Sequence, residues 1–145
     1  MSYTHYFEQM RHAEPAAWQA ICDDFRKMLA TALISKPLPI QRGDEDKSQP
    51  YVDDKLIIFN GIGNDAHETM VLVRAGNGFQ FCKTARKPYD RAVTALLILA
   101  DFHSPNTWTV TSDGEPDDWQ EGLELARTVQ PDCNLPSGIA PFLPI

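Results

Sequence analysis

Between residues 91 and 102 the chain reads RAVTALLILADF, and only Arg91, Thr94 and Asp101 in it are polar. Wound at 3.6 residues per turn, such a segment is apolar on nearly every side and has no face to offer to water. Whatever fold the chain adopts must wrap this helix. The segment is too short to cross a bilayer, which takes ~20 apolar residues, and its longest unbroken apolar stretch is residues 95–100. The reading left is a buried helix at the centre of a soluble domain. At 145 residues the chain can enclose it, since a domain of that size buries roughly 70% of its unfolded surface. A hydrophobic share of 43% beside 23% charged residues places the sequence among globular domains and away from disordered chains.

The other elements are predicted around that centre. Residues 15–33 place Trp18, Ile21, Cys22, Phe25, Met28, Leu29, Ala32 and Leu33 on one helical face and Asp23, Asp24, Arg26 and Lys27 on the other, the amphipathic pattern of a helix packed on a core. Pro15 suits the first helical position and Pro37 the exit. Residues 36–54, rich in proline and charge, predict an exposed loop with at most one short strand over residues 38–42. Residues 55–59, 68–74 and 79–84 carry strand patterns. Asn77-Gly78 between the last two is the dipeptide most favoured in a two-residue hairpin. Asp90 stands where the N-cap of the central helix belongs. Residues 107–111 alternate as a strand, and a third helix is expected over residues 116–130 with Trp119, Leu123, Ala126 and Val129 as its core stripe. Pro131, Pro136, Pro141 and Pro144 exclude a helix beyond that point. This order predicts an α+β, two-layer fold: a mostly antiparallel sheet of four to five strands with three helices, one of them central. Residues 1–145 are expected to form a single globular domain, with the proline-rich tail, residues 131–145, packed on it.

Charge and spacing remove several function classes. Thirteen basic against twenty acidic residues give a net charge of −7, which counts against a nucleic-acid binder. The N-terminal segment has no basic region followed by an apolar stretch, so a soluble, cytoplasmic protein with no membrane partner is expected. Cys22, Cys82 and Cys133 form no C-x-x-C pair and predict free buried thiols. His5, His12, His67 and His103 lack metal-ligand spacing, and no metal site is expected. Gly61-Ile62-Gly63-Asn64-Asp65-Ala66 matches a dinucleotide fingerprint, but that motif needs a helix directly after the glycines. A strand is predicted there instead, so no cofactor is expected.

Candidate site residues come from the predicted hairpin. With Asn77-Gly78 as its turn, Cys82 faces Val73, Glu68 faces Lys87, and Cys82 lies roughly 20 Å along the sheet from His67 at ~3.3 Å per residue. That separation excludes a Cys-His dyad and makes Cys82 a core thiol beside Val71, Val73 and Thr84. On the opposite face Met70, Leu72 and Arg74 would sit beside Phe79, Phe81 and Lys83. Residues 74–91 hold Arg74, Lys83, Arg86, Lys87 and Arg91 against Asp90 alone, while residues 113–124 answer with Asp113, Glu115, Asp117, Asp118, Glu121 and Glu124 and no base. These segments either compensate each other structurally, or the cations form a binding site at the start of the central helix, where the helix dipole favours anions. The leading reading is a binding or interaction domain using Lys83, Arg86, Lys87 and Arg91 for an anionic small molecule or protein partner. The alternative is a small, hydrolase-like enzyme using His67 and Glu68 as acid and base on the loop before the hairpin.

Gly78-Phe79-Gln80-Phe81-Cys82 resembles the base-stacking strand of an RNA-recognition motif. Asn77 and Thr84 depart from that pattern, and a weak single-stranded nucleic-acid binder is the third reading. A wider set of motifs resembles a group of small uncharacterised bacterial and viral proteins. It comprises Phe59-Asn60-Gly61, His67-Glu68-Thr69, the run from Phe81-Cys82-Lys83-Thr84 through Ala85-Arg86-Lys87-Pro88-Tyr89-Asp90, and Ser112-Asp113-Gly114 ahead of Asp118-Trp119, over about two thirds of the chain. That resemblance implies a compact single domain and no particular activity, ligand or catalytic residue.

Overall fold

The computed structural model describes residues 3–35 and 38–139, with the backbone alone for residues 32–35. Along the chain run β1 (Thr4–Gln9), α1 (Pro15–Ser35), β2 (Ile40–Gln41), β3 (Tyr51–Val52), β4 (Leu56–Gly61), β5 (Met70–Val73), β6 (Phe81–Lys83), α2 (Asp90–His103), β7 (Trp108–Ser112) and α3 (Gln120–Arg127). The class is α+β. In α2 every residue from position 92 to 100 is buried, the consequence of having no polar face to turn outward. Trp18, Phe25, Leu96, Leu99 and Trp119 all belong to the core. No helix among the described residues is long and apolar enough to cross a membrane.

The strands divide between two sheets instead of forming one. The first has the order β6-β1-β7; in the second β4 pairs with each of β2, β3 and β5. All these pairings are antiparallel. The central strand of the first sheet, β1, carries no sequence signal because two of its three inward side chains, His5 and Gln9, are polar and only Phe7 is apolar. Alternating hydrophobicity is therefore hidden there.

The predicted hairpin does not form: β5 pairs with β4, and β6 pairs with β1. Gly78 does take a positive φ of 83°, but its backbone exchanges hydrogen bonds with Gln9 at 2.9 and 3.0 Å. Burial decides the outcome. With β5 on β4, Met70 and Leu72 enter the core, leaving Val71 39% exposed and Val73 half-buried, the reverse of the predicted faces. A strand has period two, so a change of pairing that reverses its faces outweighs turn preference. The 20 Å separation falls with the hairpin, since the Cys82 thiol lies 3.5 Å from the Glu68 carbonyl oxygen.

Helix ends differ in detail. Tyr89, not Asp90, occupies the N-cap of α2, because the Asp90 carboxylate is drawn inward by two side chains described below. A 3-10 turn, Pro116–Trp119, precedes α3 and is held by a reciprocal capping box between Glu115 and Asp118; α3 itself ends at Arg127, short of residue 130. Cys133 and Ile139 of the tail are buried. Pro37, Pro141 and Pro144 lie outside the described residues, as do the side chains of Ala32 and Leu33.

All three thiols are free and buried. Burial, with the Glu68 carboxylate nearby, pushes the Cys82 thiol from 9.0 up to about 12. Under native conditions at neutral pH, Cys82 should resist iodoacetamide and react only after denaturation, as mass-mapped alkylation will show. The raised value carries a sign: above pH 9 the unfolded chain loses this proton while the folded chain keeps it. The stabilisation is therefore complete below pH 9 and is lost as pH rises toward 12.

Candidate functional site

Three of the four cations singled out in the sequence meet at one pocket. Arg86, Lys87 and Arg91 line a cavity of about 190 Å³ together with Tyr3, Asp90, Thr94, Asp118 and Glu121. It sits where the turn after β6 enters α2, facing the 3-10 turn ahead of α3. The geometry of that turn is costly. Ala85 and Arg86 are consecutive non-glycine residues with φ of 52° and 59°, a left-handed conformation that such residues adopt at of order 1 kcal/mol or more each. The Ala85 N–H donates to the Tyr3 carbonyl at 3.2 Å, and the Lys87 N–H to the Thr84 carbonyl at 3.0 Å. The Arg86 guanidinium is thereby laid over the Tyr3 ring, 4.0 Å from its centroid, and against Asp118 at 2.9 Å.

Beneath the pocket lies a chain of polar side chains. His5, fully buried on β1, has Nε2 2.6 Å from Asp90 Oδ1 and Nδ1 2.8 Å from Ser112 Oγ. The Thr84 hydroxyl also donates to Asp90 Oδ1, and the Gly114 N–H donates to Ser112 Oγ at 2.8 Å. With Ser112 Oγ accepting from Gly114, its hydrogen is available to Nδ1, and Nε2 is left as donor to Asp90. The edges of Tyr3 and Trp119 close on the imidazole at 5.1 and 5.0 Å between centroids. Four elements, β1, β7, α2 and the turn after β6, are thus tied to one imidazole.

Electrostatics in the pocket are graded. The Asp118 carboxyl is held below its ordinary range by the Glu115 N–H and by Arg86. Burial, reinforced by the Asp90 and Asp118 carboxylates, pushes the Tyr3 phenol up to about 12, so it stays neutral in any physiological buffer. Of the three lining carboxylates, Asp90 and Asp118 are engaged with protein donors. Lys87 makes no ion pair or side-chain hydrogen bond among the described residues.

The remaining candidates lie elsewhere. Lys83 is on the outward face of β6 opposite Thr4 and does not line this pocket. His67 is exposed, and its backbone is clamped by the buried Asn60 side chain at 3.0 and 3.1 Å. Glu68 accepts the Lys83 N–H at 3.0 Å and lines a separate groove with Thr69, Val71, Val73, Gln80 and Phe81. Among the described residues no second titratable side chain lines that groove. The Arg86–Asp118 pair realises one contact between the basic and acidic segments, with Arg86 60% exposed, the kind of pair worth about 0–1 kcal/mol. Tyr3, His5, Thr84 and Ser112 escape sequence reasoning: each stands alone in its segment, and only the unrecognised strand β1 brings the first two under Asp90.

No protein-family model matches the chain, and no curated protein and no solved structure matches it significantly.

Proposed function

We propose that the protein binds a small anionic ligand, a phosphate- or carboxylate-bearing molecule, in the pocket at the N-terminus of α2, acting as a soluble, cytoplasmic binder. Lys87 and Arg91 are its principal contacts and Arg86 its third cationic wall. The observation that carries this reading is the pair of left-handed residues Ala85 and Arg86. Unfavourable backbone at consecutive non-glycine positions is retained where the surroundings require a particular side-chain placement, and such positions cluster at ligand sites. Three further points support it. The positive end of a 14-residue helix faces the pocket and favours negative charge. Lys87 supplies a cation not spent on a protein carboxylate. A cavity of 190 Å³ falls below the roughly 300–1,000 Å³ of drug-sized sites and suits a compact anion. In a two-dimensional 15N–1H titration with inorganic phosphate, the amides of Lys87 and Arg91 should shift saturably, and K87Q/R91Q should abolish the response. Uniform shifts that persist in the double variant would leave charge compensation as the cluster's whole role.

A second reading, of the hydrolase class, has one observation in its favour: the Ser112–His5–Asp90 chain places a hydroxyl, an imidazole and a carboxylate in the order of a nucleophilic triad. It does not use His67 or Glu68. A fluorophosphonate probe should label Ser112 if this chain activates it, and should leave the folded protein unmodified if the chain only ties β1 and β7 to α2.

A further inference from the structure

Residues of an antiparallel strand alternately turn their N–H and C=O toward one neighbour and then the other. On the β6 segment the parity is set by β1: the Phe7 N–H donates to Gln80 and Gln9 exchanges bonds with Gly78, so Phe79 and Phe81 turn their backbone groups away from β1. On β5 the parity is set by β4: the Arg74 N–H donates to the Lys55 carbonyl at 2.9 Å in the register that pairs Leu72 with Ile57, so Val71 and Val73 turn theirs away from β4. The two edges are joined at one end, where the Glu68 N–H donates to the Lys83 carbonyl at 3.2 Å, and at the other by the turn after β5. Between these ends β5 and β6 form no ladder among the described residues. The space is the groove of about 380 Å³ lined by Val71 and Val73 on one side and Gln80 and Phe81 on the other. Its outer rim is apolar: Phe79 is 64% exposed, Phe81 53% and Val71 39%. Tyr6 continues the strip, its ring 5.7 Å from Phe79.

We propose that this groove takes up an extended peptide segment of a partner protein, paired through its backbone with the Phe79–Phe81 edge and laying alternate apolar side chains over Phe81, Val71 and Val73. The two facing edges offer N–H and C=O groups at every second residue, which only another extended backbone can match. Size excludes a stable self-dimer, because Phe79, Phe81 and Val71 together expose about 300 Å², against the ~800 Å² each partner contributes to a standard interface. Charge excludes a polyanion. Glu8 and Asp113 share this sheet face with Tyr6, and Glu68 lines the groove, against Lys83 as the one cation there among the described residues, so the complementary peptide carries lysine or arginine beside its apolar residues.

The test is selection of random eight-residue displayed peptides on the full chain, with subtraction on V71K/F81K. Enriched peptides should alternate apolar residues, exclude proline from the centre and carry a basic residue. The best of them should bind the wild type at least tenfold more tightly than the variant. Two readouts on the wild type make the result independent of how the variant folds: N-methylation of a central peptide amide should cost at least tenfold in affinity, and the amides of Phe79 and Phe81 should gain exchange protection on binding. Failure to enrich any sequence over the variant, indifference to N-methylation, or saturable binding of a ten-nucleotide oligothymidine instead would overturn the proposal.

Discussion

Replacing Leu96 by alanine should lower the free energy of unfolding by about 2–5 kcal/mol, read from urea melts. Leu96 is wholly buried within the run of nine buried residues in α2. That helix packs against both α1 and α3, so its surroundings can collapse only partly around a removed isobutyl group. The lost transfer energy and the residual cavity then add. Glu124 on the outer face of α3 is exposed, and its replacement by alanine should stay within about 0.5 kcal/mol as the matched control. A loss below 1 kcal/mol for L96A would mean that α2 is not the centre of the core.

Replacing His5 by leucine should cost about 3 kcal/mol. The change keeps a side chain of similar bulk between Tyr3 and Trp119, so little of the loss comes from a cavity. What it removes is the donor that Asp90 Oδ1 meets at 2.6 Å and the ring nitrogen that Ser112 meets at 2.8 Å. The Asp90 side chain is only 16% exposed, and a carboxylate left there with the Thr84 hydroxyl as its remaining side-chain donor carries much of its desolvation cost uncompensated. The double replacement H5L/D90L should recover a large part of the loss, because removing both partners leaves no orphaned charge. If H5L alone is neutral in urea melts, the imidazole is not the tie between β1 and α2 described above.

The parts of this fold legible in the sequence are those where one physical term dominates. Residues 91–102 have a single solution, burial, and α1 shows its stripe because Trp18, Ile21, Phe25 and Met28 all face one way. The β5–β6 region is ambiguous in sequence because two terms compete: Asn77-Gly78 favours a tight turn, while Met70 and Leu72 gain more by pairing β5 with β4 and entering the core. Turn preference is local and worth little against two buried side chains. The site was half legible. Clustered cations in residues 83–91 announce themselves as charge, but the strain at Ala85 and Arg86 is invisible in residue types that ordinarily avoid it. His5 looked isolated because 85 positions separate it from Asp90.

The proposed anion site at Lys87 and Arg91 is tested by thermal melting in phosphate. A ligand that binds only the folded chain stabilises it by mass action, by about 1.4 kcal/mol at tenfold excess over its dissociation constant, which for a domain of this size raises Tm by roughly 3–6 °C. With ionic strength held constant by sodium chloride, the wild type should show a saturable rise of that order and K87Q/R91Q should show none. The double variant's own Tm without phosphate is the baseline from which its response is read, since Asp90, Asp118 and Glu121 share the pocket with the cations. Equal phosphate responses in the two proteins would contradict the proposal and leave the cluster as a counterweight to the acidic segment around α3.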